Sequence, residues 1–187
     1  MNKEKILLIS TCKEKISELE FVKPISQIIK EEGKDSDVES YKEVNALVAN
    51  KYKIIIICGT AIADFDYNNH LINFKWIKNY SGKVLGICSG MQIITKVYGE
   101  EVSTEGLPKI GMKKIIIKTP ILGLEGSKEV YELHKGMCKT PKEFTSYTSG
   151  EEAEIIKHKE KETYGVIFHP EVRNKEIIKK FLELGEK

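Results

Sequence analysis

Short apolar runs alternate with segments of helical periodicity through the first hundred residues. The runs KILLIS (5–10), KIIIIC (53–58) and KVLGI (83–87) are almost unbroken, which is typical of strands covered on both faces. This alternation predicts right-handed βαβ units and a parallel sheet. The other predicted elements here are a weak strand at 36–41 and helices at 14–32 (bent or split by Pro24), 43–50, 69–80 and 89–98.

Strand patterns dominate the second half of the chain. Their connections are short and contain Gly, Pro or charged residues, and the last segment is an amphipathic helix at 174–184 with Asn174 as its N-cap. No repeat, low-complexity segment or linker interrupts the chain, so we expect a single domain, 1–187. Its later strands should extend the parallel sheet or fold over one edge. These strands are predicted at 111–119, 128–133, 142–148, 152–159 and 163–168.

Composition and charge exclude several classes of protein. The 187 residues are 41% hydrophobic, and 30 Lys and Arg residues nearly balance 28 Asp and Glu residues, for a net charge of +2. Such a globular composition gives no reason to expect nucleic acid or an anionic membrane as a partner. No apolar run approaches the ~18 residues of a membrane span, and no signal peptide is visible. Four cysteines without a CxxC pair predict neither a metal site nor a disulfide framework, and favour a reducing, cytoplasmic setting.

A cysteine flanked by glycines stands where a strand turns directly into a helix. In the segment GICSG (86–90), Gly86 and Gly90 surround Cys88. A nucleophile in such a sharp turn has a crowded backbone, and small neighbours relieve the crowding. The N-terminus of the following helix makes the sulfur more nucleophilic than a free cysteine and can bind an oxyanion. Taken alone, the pentapeptide fits a buried structural cysteine equally well.

A histidine near the end of the chain supplies the base that such a nucleophile needs. The predicted strand at 163–168 stops at His169, and Glu171 follows two residues later. In an extended segment both side chains point to the same side, so the carboxylate can orient the imidazole. His169 alone would more often be a capping or core histidine. However, Cys88 and His169 both follow strands, at the edge where open α/β sheets place their sites.

The segments around these residues resemble a known family. GICSGMQ (86–92) and YGVIFHPE (164–171) are similar to the motifs G-[IVL]-C-x-G-x-Q and Y-G-V-Q-F-H-P-E of class I glutamine amidotransferases. Their order, their separation and the succession of elements also agree, so the resemblance covers essentially the whole chain. It implies a flavodoxin-like α/β domain, with a mostly parallel central sheet flanked by helices and extra antiparallel strands in the second half.

The resemblance also implies a reaction and its residues. Family members hydrolyse the side-chain amide of glutamine through a glutamyl thioester and pass ammonia to a synthetase domain or subunit. Cys88 would be the nucleophile, His169 the acid/base and Glu171 the orienting carboxylate. Gln92 would help to hold the substrate, and the backbone N–H of Ser89 would be one oxyanion donor. No cofactor is expected.

Two further segments resemble segments of the family but differ from them at individual residues. ICGTAIAD (57–64) stands in place of the family's S-G-G-P loop, with Thr60 and Ala61 replacing the second Gly and the Pro. The second oxyanion donor is therefore open between Gly59 and Thr60, and the loop is expected to be less restrained until a partner orders it. YELHKGM (131–137) is similar to the S-H-K-D segment of glutaminase subunits of GMP synthase. His134 and Lys135 would hold the glutamine backbone, or they are simply strand-end residues.

These observations favour a glutaminase subunit that serves a separate synthetase, with GMP synthesis as the best single pathway. Two alternatives stay open from the sequence. One is a stand-alone γ-glutamyl hydrolase or peptidase that uses the same three residues. The other is a catalytically weak regulatory subunit, for which the altered loop is the only support.

Overall fold

The computed structural model describes residues 5–150 and 152–185. Short strands build most of this region, and each apolar run predicted as a buried strand forms one. The strands are β1 (Ile6–Ser10), β2 (Ser36–Ser40), β3 (Ile54–Ile57), β4 (Lys83–Ile87), β5 (Val102–Ser103), β6 (Lys109–Ile121), β7 (Leu124–His134), β8 (Met137–Cys138), β9 (Phe144–Ser146), β10 (Ile155–His158) and β11 (Thr163–Val166).

The helices are short and lie mainly in the first half. The first predicted helix is interrupted at Val22, just before Pro24, which fits into the first turn of the helix that follows. The α-helices are α1 (Glu18–Phe21), α2 (Lys23–Glu31), α3 (Ala46–Ala49), α4 (Ser89–Val97) and α5 (Glu176–Glu183), and 3₁₀ helices cover Lys15–Ser17 and Asp66–Asn79.

A mostly parallel sheet forms the centre of the molecule. Within residues 5–150 and 152–185 its seven strands have the order β2-β1-β3-β4-β11-β10-β9. The first five are parallel to their neighbours, whereas β10 and β9 extend the sheet antiparallel. Because β4 and β11 are adjacent, with Ile87 opposite Val166, the chain leaves both strands at the same edge. The predicted α/β, flavodoxin-like architecture with extra antiparallel strands is confirmed.

Helices cover both faces of this sheet and bury its β-branched runs. On one face, α2 and α5 pack against the alternate residues of β1 and β3 that include Ile6 and Ile56. On the other face, α4 and the long 3₁₀ helix pack against the remaining residues, such as Leu7 and Ile55. Each central strand is therefore apolar on both sides, which explains why its sequence does not alternate.

A long β6–β7 hairpin stands apart from the central sheet. It packs Ile115, Ile117 and Val130 into the core on the α2 and α5 side. Its far end reaches the carboxyl edge of the central sheet, where the carbonyl of Tyr131 accepts a 2.9 Å hydrogen bond from the backbone N–H of His169. The small pair β5–β8 lies beside it, and the sequence pattern does not predict these two-residue strands.

One local prediction is refined and one is wrong. The segment predicted to be helical at 69–80 is a 3₁₀ helix (Asp66–Asn79) with a non-helical break at His70. Asn174 does not cap the last helix. It has a left-handed backbone with φ of 74°, and α5 begins two residues later without a side-chain cap.

Candidate active site

Cys88 occupies the sharp turn between β4 and α4. Its backbone has φ of 51° and ψ of −107°, a conformation that side-chain-bearing residues seldom adopt. A Cβ on Gly90 would lie 2.3 Å from the carbonyl oxygen of Ile57, and one on Gly86 would lie 2.6 Å from the backbone of Gly90. Only glycine fits at these two places, so the flanking residues allow α4 to pack directly on β3 and β4.

His169 and Glu171 form a buried pair at the end of β11. The Nδ1 atom of His169 is 2.7 Å from Oε1 of Glu171, and both side chains are about 1% exposed. The Nε2 atom of His169 is also buried and has no hydrogen-bond partner among the described residues. A carboxylate on Nδ1 leaves Nε2 as the nitrogen that can exchange a proton with another group.

The structure brings this imidazole next to Cys88. A Cβ on Gly59 would lie 2.8 Å from Cε1 of His169 and 3.4 Å from Cβ of Cys88, so both side chains reach the same point. Burial lowers the pKa of His169, but the Cys88 sulfur and the Glu171 carboxylate outweigh it and hold that pKa well above the ordinary value of 6.5. The geometry therefore favours an imidazolium beside the sulfur.

The other three cysteines lie in environments that disfavour reaction. Burial raises the pKa of the Cys12 thiol, raises that of Cys58 well above its ordinary value, and raises that of Cys138 to about 12. All three are at most 6% exposed. Cys88 alone among the four combines the sharp turn, a helix N-terminus and a neighbouring imidazole.

A narrow cavity opens beside the sulfur. Only about 10 Å³ of it can hold the centre of a water molecule, roughly the room of a single water. The Sγ atom of Cys88 lies 3.6 Å from the carbonyl oxygen of Leu133, which closes the cavity from the hairpin side. A substrate larger than water therefore needs these walls to move apart. The lining residues are Thr60, Ala61, Ile62, Asp64, Phe65, Tyr67, Cys88, Ser89, Gln92, Leu133, His134 and Lys135.

Backbone N–H groups near the sulfur are available to an anion. Within the described part of the chain, the N–H groups of Gly59, Thr60 and Ser89 donate no hydrogen bond. Ser89 begins α4, where N–H groups have no intrahelical acceptor. Thr60 lines the cavity with Ser89 and Cys88, whereas Gly59 lies behind them, against the imidazole.

Gln92 joins two walls of the cavity. Its Oε1 accepts a hydrogen bond from the Tyr67 hydroxyl, and its Nε2 donates to the carbonyl of Gly136 at 3.4 Å. A Cβ on Gly136 would lie only 2.5 Å from that Nε2. An acidic residue, as in the similar S-H-K-D segment, would displace the end of the Gln92 side chain, so Gly136 and the position of the Gln92 amide depend on each other.

His134 is buried and bonded at both ring nitrogens. Nδ1 is 2.9 Å from the carbonyl oxygen of Gly136, and Nε2 is 3.4 Å from Oε1 of Glu132. Glu132 also lies 3.2 Å from Nζ of Lys113, which in turn binds Glu154. The ring thus supports the segment that carries Leu133 and Lys135, rather than pointing freely into the cavity.

Sequence reasoning missed the residues that hold this wall. Tyr67, Lys113 and Glu154 lie in no motif used above, and Glu132 lies in the YELHKGM segment without having been singled out. The hydrogen bond of Tyr67 with Gln92 of α4, and the ion pairs of Lys113 with Glu132 and Glu154, bring them to the site. The alternating pattern around Glu132 could at most have indicated an inward-facing charge in a strand.

No helix among the described residues is long and apolar enough to cross a membrane. The same residues contain no group of three His, Cys, Asp or Glu side chains placed to hold a metal ion.

Comparison with known proteins shows the family to which the chain belongs. The family model for glutamine amidotransferase class-I matches residues 17–185. The chain belongs to this family. Among relatives of this amidotransferase, the A subunit of the glutamine-hydrolysing GMP synthase of Methanobrevibacter smithii is 32% identical over 123 residues, 60% of this chain and 65% of that protein. The match thus spans just under two thirds of the M. smithii protein.

Two further likenesses cover most of the amidotransferase. The A subunit of the GMP synthase of Sulfolobus acidocaldarius is 31% identical over 165 residues, 82% of this chain and 83% of that protein. The crystal structure of a candidate GMP synthase A subunit from Thermoplasma acidophilum has a TM-score of 0.84 at 20% identity, and covers 97% of this chain and 94% of that one. The structural likeness extends the family fold over nearly all of the chain.

Proposed function

We propose that this amidotransferase hydrolyses the side-chain amide of glutamine through a thioester on Cys88. The observation that carries the proposal is Cys88, held at positive φ beside the buried His169–Glu171 pair. A thiol is a poor nucleophile. A neighbouring imidazole that takes the thiol proton leaves a thiolate, which is a much better one. The residues of this site therefore have the chemistry for acyl transfer from a carboxamide.

The reaction runs in two halves. The Cys88 sulfur attacks the amide carbon while the oxygen becomes an oxyanion, and imidazolium of His169 gives its Nε2 proton to the departing nitrogen, which leaves as ammonia. Water then gives a proton back to His169 and attacks the thioester, which releases glutamate and the sulfur. Glu171 orients the ring throughout and stabilises its positive charge whenever Nε2 carries a proton.

The cavity walls bind the substrate in this proposal. The Ser89 N–H, together with the N–H of Gly59 or Thr60, holds the oxyanion. Gln92, His134 and Lys135 line the side where the glutamine backbone would lie, with Gln92 and His134 acting through the Gly136 carbonyl that they both contact. Binding must open the narrow cavity, so the hairpin end and the 60–67 segment separate when glutamine enters.

The ammonia acceptor is proposed to be a separate synthetase subunit. Relatives that match this chain are named as A subunits of a glutamine-hydrolysing GMP synthase. We therefore propose that the 1–187 domain acts in the cytoplasm, delivers ammonia to the synthetase subunit of a GMP synthase, and turns over slowly without it.

One experiment separates this proposal from its alternatives. Glutamine hydrolysis is measured with the chain alone, and again with the ATP-dependent subunit of a GMP synthase together with its nucleotide substrates. We expect a strong rise in turnover and GMP formation with the partner, and covalent labelling of Cys88 by a glutamine-analogue electrophile, mapped by mass spectrometry. Cys88→Ala should lose both labelling and activity, whereas Cys138→Ala, which leaves Cys88, His169 and Glu171 in place, should keep them.

The contrary outcomes are equally distinct. Full activity that no partner changes would favour the stand-alone γ-glutamyl hydrolase. Labelling spread over Cys12, Cys58 and Cys138 as readily as Cys88 would remove the proposed nucleophile. An inactive chain that still stimulates its partner with free ammonia would favour a regulatory subunit.

A further inference from the structure

The loop that follows β3 is held by a cluster of side-chain hydrogen bonds. The replacement of Gly and Pro by Thr60 and Ala61 predicts a poorly restrained loop. However, Thr60 is only 3% exposed, and its hydroxyl donates to Oδ2 of Asp64 at 2.8 Å. The same Oδ2 accepts the backbone N–H of Lys13 at 2.7 Å. Asp64 thus ties the loop to the segment after β1.

Asp64 also organises the turn in which it lies. Its backbone N–H donates to the carbonyl of Ala61 at 2.8 Å, and its Oδ1 accepts the N–H of Asp66 at 3.2 Å. One carboxylate therefore receives three donors: one from the loop, one from the segment after β1 and one from the start of the 3₁₀ helix. Hydrogen bonds to an ionised acceptor are the stronger kind, so this turn has a well-defined conformation without proline.

The peptide group between Cys58 and Gly59 is also held, by residues other than Asp64. The carbonyl oxygen of Cys58 lies 2.9 Å from the hydroxyl oxygen of Thr11 and 3.2 Å from that of Ser89, and it accepts a hydrogen bond from one of them while the other donates to its neighbour. These hydroxyls also contact each other at 2.7 Å. In a trans peptide the N–H points away from the C=O, so the anchored Cys58 carbonyl sets the direction of the Gly59 N–H.

We propose that Thr60 and Asp64 are positioning residues for the oxyanion site, because their hydrogen bond, together with the Thr11–Ser89 anchor, orients the 58–60 backbone beside Cys88. The inference rests on the proposed glutaminase function and names the side chains that prepare its anion-binding N–H groups. Thr60 replaces a glycine of the similar loops, and in this chain its hydroxyl supplies the restraint that the family's proline would have supplied.

The size of the effect follows from the bond. A buried hydrogen bond to a carboxylate corresponds to about a 10- to 100-fold change in rate when it acts only on the transition state. Thr60→Val keeps the shape of the side chain and removes the donor, so kcat should fall by about 10-fold or more while KM changes less than about 3-fold. Thr60→Ser keeps the donor and should restore most of kcat.

A double-mutant cycle tests the pairing. Asp64→Asn replaces one of the two acceptor oxygens by an NH₂ group, so the side chain can no longer accept all three hydrogen bonds. If Thr60 and Asp64 act through their mutual bond, the double variant Thr60→Val/Asp64→Asn should be about as slow as the slower single variant. Losses that multiply would mean independent effects and would overturn the proposal. Thr119→Val, an exposed hydroxyl loss on the hairpin, is the matched control and should leave kcat unchanged.

A second measurement does not depend on activity. Amide hydrogen exchange of residues 64 and 66, whose N–H groups are hydrogen-bonded within the turn, should become faster in Thr60→Val and Asp64→Asn, and should stay slow in Thr60→Ser and Thr119→Val. Unchanged exchange in Thr60→Val would show that the hydroxyl does not hold the loop. If the unmodified chain releases no ammonia from glutamine with any partner, the proposed function fails, and the exchange result still decides whether the loop is clamped.

Discussion

Two regions meet at Cys88, and they are built by different means. The floor of the site comprises Cys88, His169 and Glu171 at the carboxyl ends of β4 and β11. The roof is the segment Leu133–Gly136 at the end of the hairpin. Neighbouring parallel strands set the floor through backbone hydrogen bonds and close backbone packing, whereas side-chain charges and one buried imidazole set the roof.

This difference predicts which kinds of substitution should disturb each region. The floor depends on backbone approach, so added volume should damage it most. The roof depends on Lys113 between two buried carboxylates, so loss of charge and change of pH should damage it most. Changes at the floor should abolish chemistry, and changes at the roof should mainly alter substrate affinity and stability.

The largest effect is expected for Gly90→Ala in the floor. The new Cβ would lie 2.3 Å from the Ile57 carbonyl oxygen, so α4 must move off the sheet, at a cost above roughly 3 kcal/mol. Thermal unfolding monitored by circular dichroism and the activity of the purified protein measure this loss. The control is Gly99→Ala, where φ is positive but space is open, at a cost of about 1 kcal/mol. Equal losses at the two glycines would contradict the importance of close packing.

The next effect is expected for Glu171→Gln. The amide keeps the shape but removes the charge that supports imidazolium, so kcat should fall by roughly 10² to 10⁴ while the fold survives. The loss should be smaller than for Cys88→Ala or His169→Ala. Steady-state ammonia release with the partner present measures it, and an unchanged kcat would exclude Glu171 from the catalytic machinery.

A smaller effect is expected in the roof for Gly136→Asp. The substitution restores the acidic residue of the similar S-H-K-D segment but pushes its Cβ against Nε2 of Gln92. The Gln92 side chain must move away, so we expect KM for glutamine to rise by about 10-fold with kcat changed less. Gly126→Ala, on the same hairpin with open space around it and a φ of 62°, is the control for backbone strain without contact to Gln92. A lower KM would mean that the acid makes a productive contact with substrate.

The smallest effect is expected for Glu132→Gln, and it should depend on pH. Burial raises the pKa of Glu132, but hydrogen bonds and attraction from His134 and Lys113 outweigh it and hold that pKa below the ordinary 4.5. A carboxyl whose folded pKa is lowered stabilises the fold above its unfolded pKa, and this contribution is lost as pH falls through the folded pKa. The variant should therefore lose about 1 kcal/mol near neutral pH, and the difference should close below about pH 4.5.

Urea unfolding at pH 7 and at several values below pH 4.5 measures this difference. Glu129→Gln is the control. Glu129 lies on β7, as Glu132 does, but its ion pair with Arg173 is exposed to solvent and should contribute at most about 0.5 kcal/mol. Glu154 distinguishes the effect of burial on a carboxyl pKa from the effect of a neighbouring lysine. It binds the same Lys113, yet burial dominates and raises its pKa, so Glu154 gives no stabilisation that acid would remove. A difference in free energy of unfolding between Glu132→Gln and the unmodified protein that stays constant with pH would contradict an ionised Glu132.

The floor could be predicted from short stretches of sequence because each of its parts is a local structure. An unbroken apolar run followed by Gly86, Cys88 and Gly90 leaves few backbone conformations other than a strand, a strained turn and a helix. The spacing of His169 and Glu171 likewise places both side chains on one side of an extended segment. Local sterics decide such features, so the sequence alone determined the turn at Cys88 and the pairing of His169 with Glu171, and the adjacency of β4 and β11 brought them together.

Tertiary structure decided the rest. The contacts of Gln92 with Tyr67 and Gly136, and of Lys113 with Glu132 and Glu154, join segments distant in the chain, and no local pattern specifies which charge meets which. The loop at 58–64 illustrates the limit, since its sequence lacks the expected proline but an Asp64 carboxylate restrains it through space. Side-chain hydrogen bonds depend on the positions of donors from several elements at once, and only the folded arrangement of those elements fixes these positions.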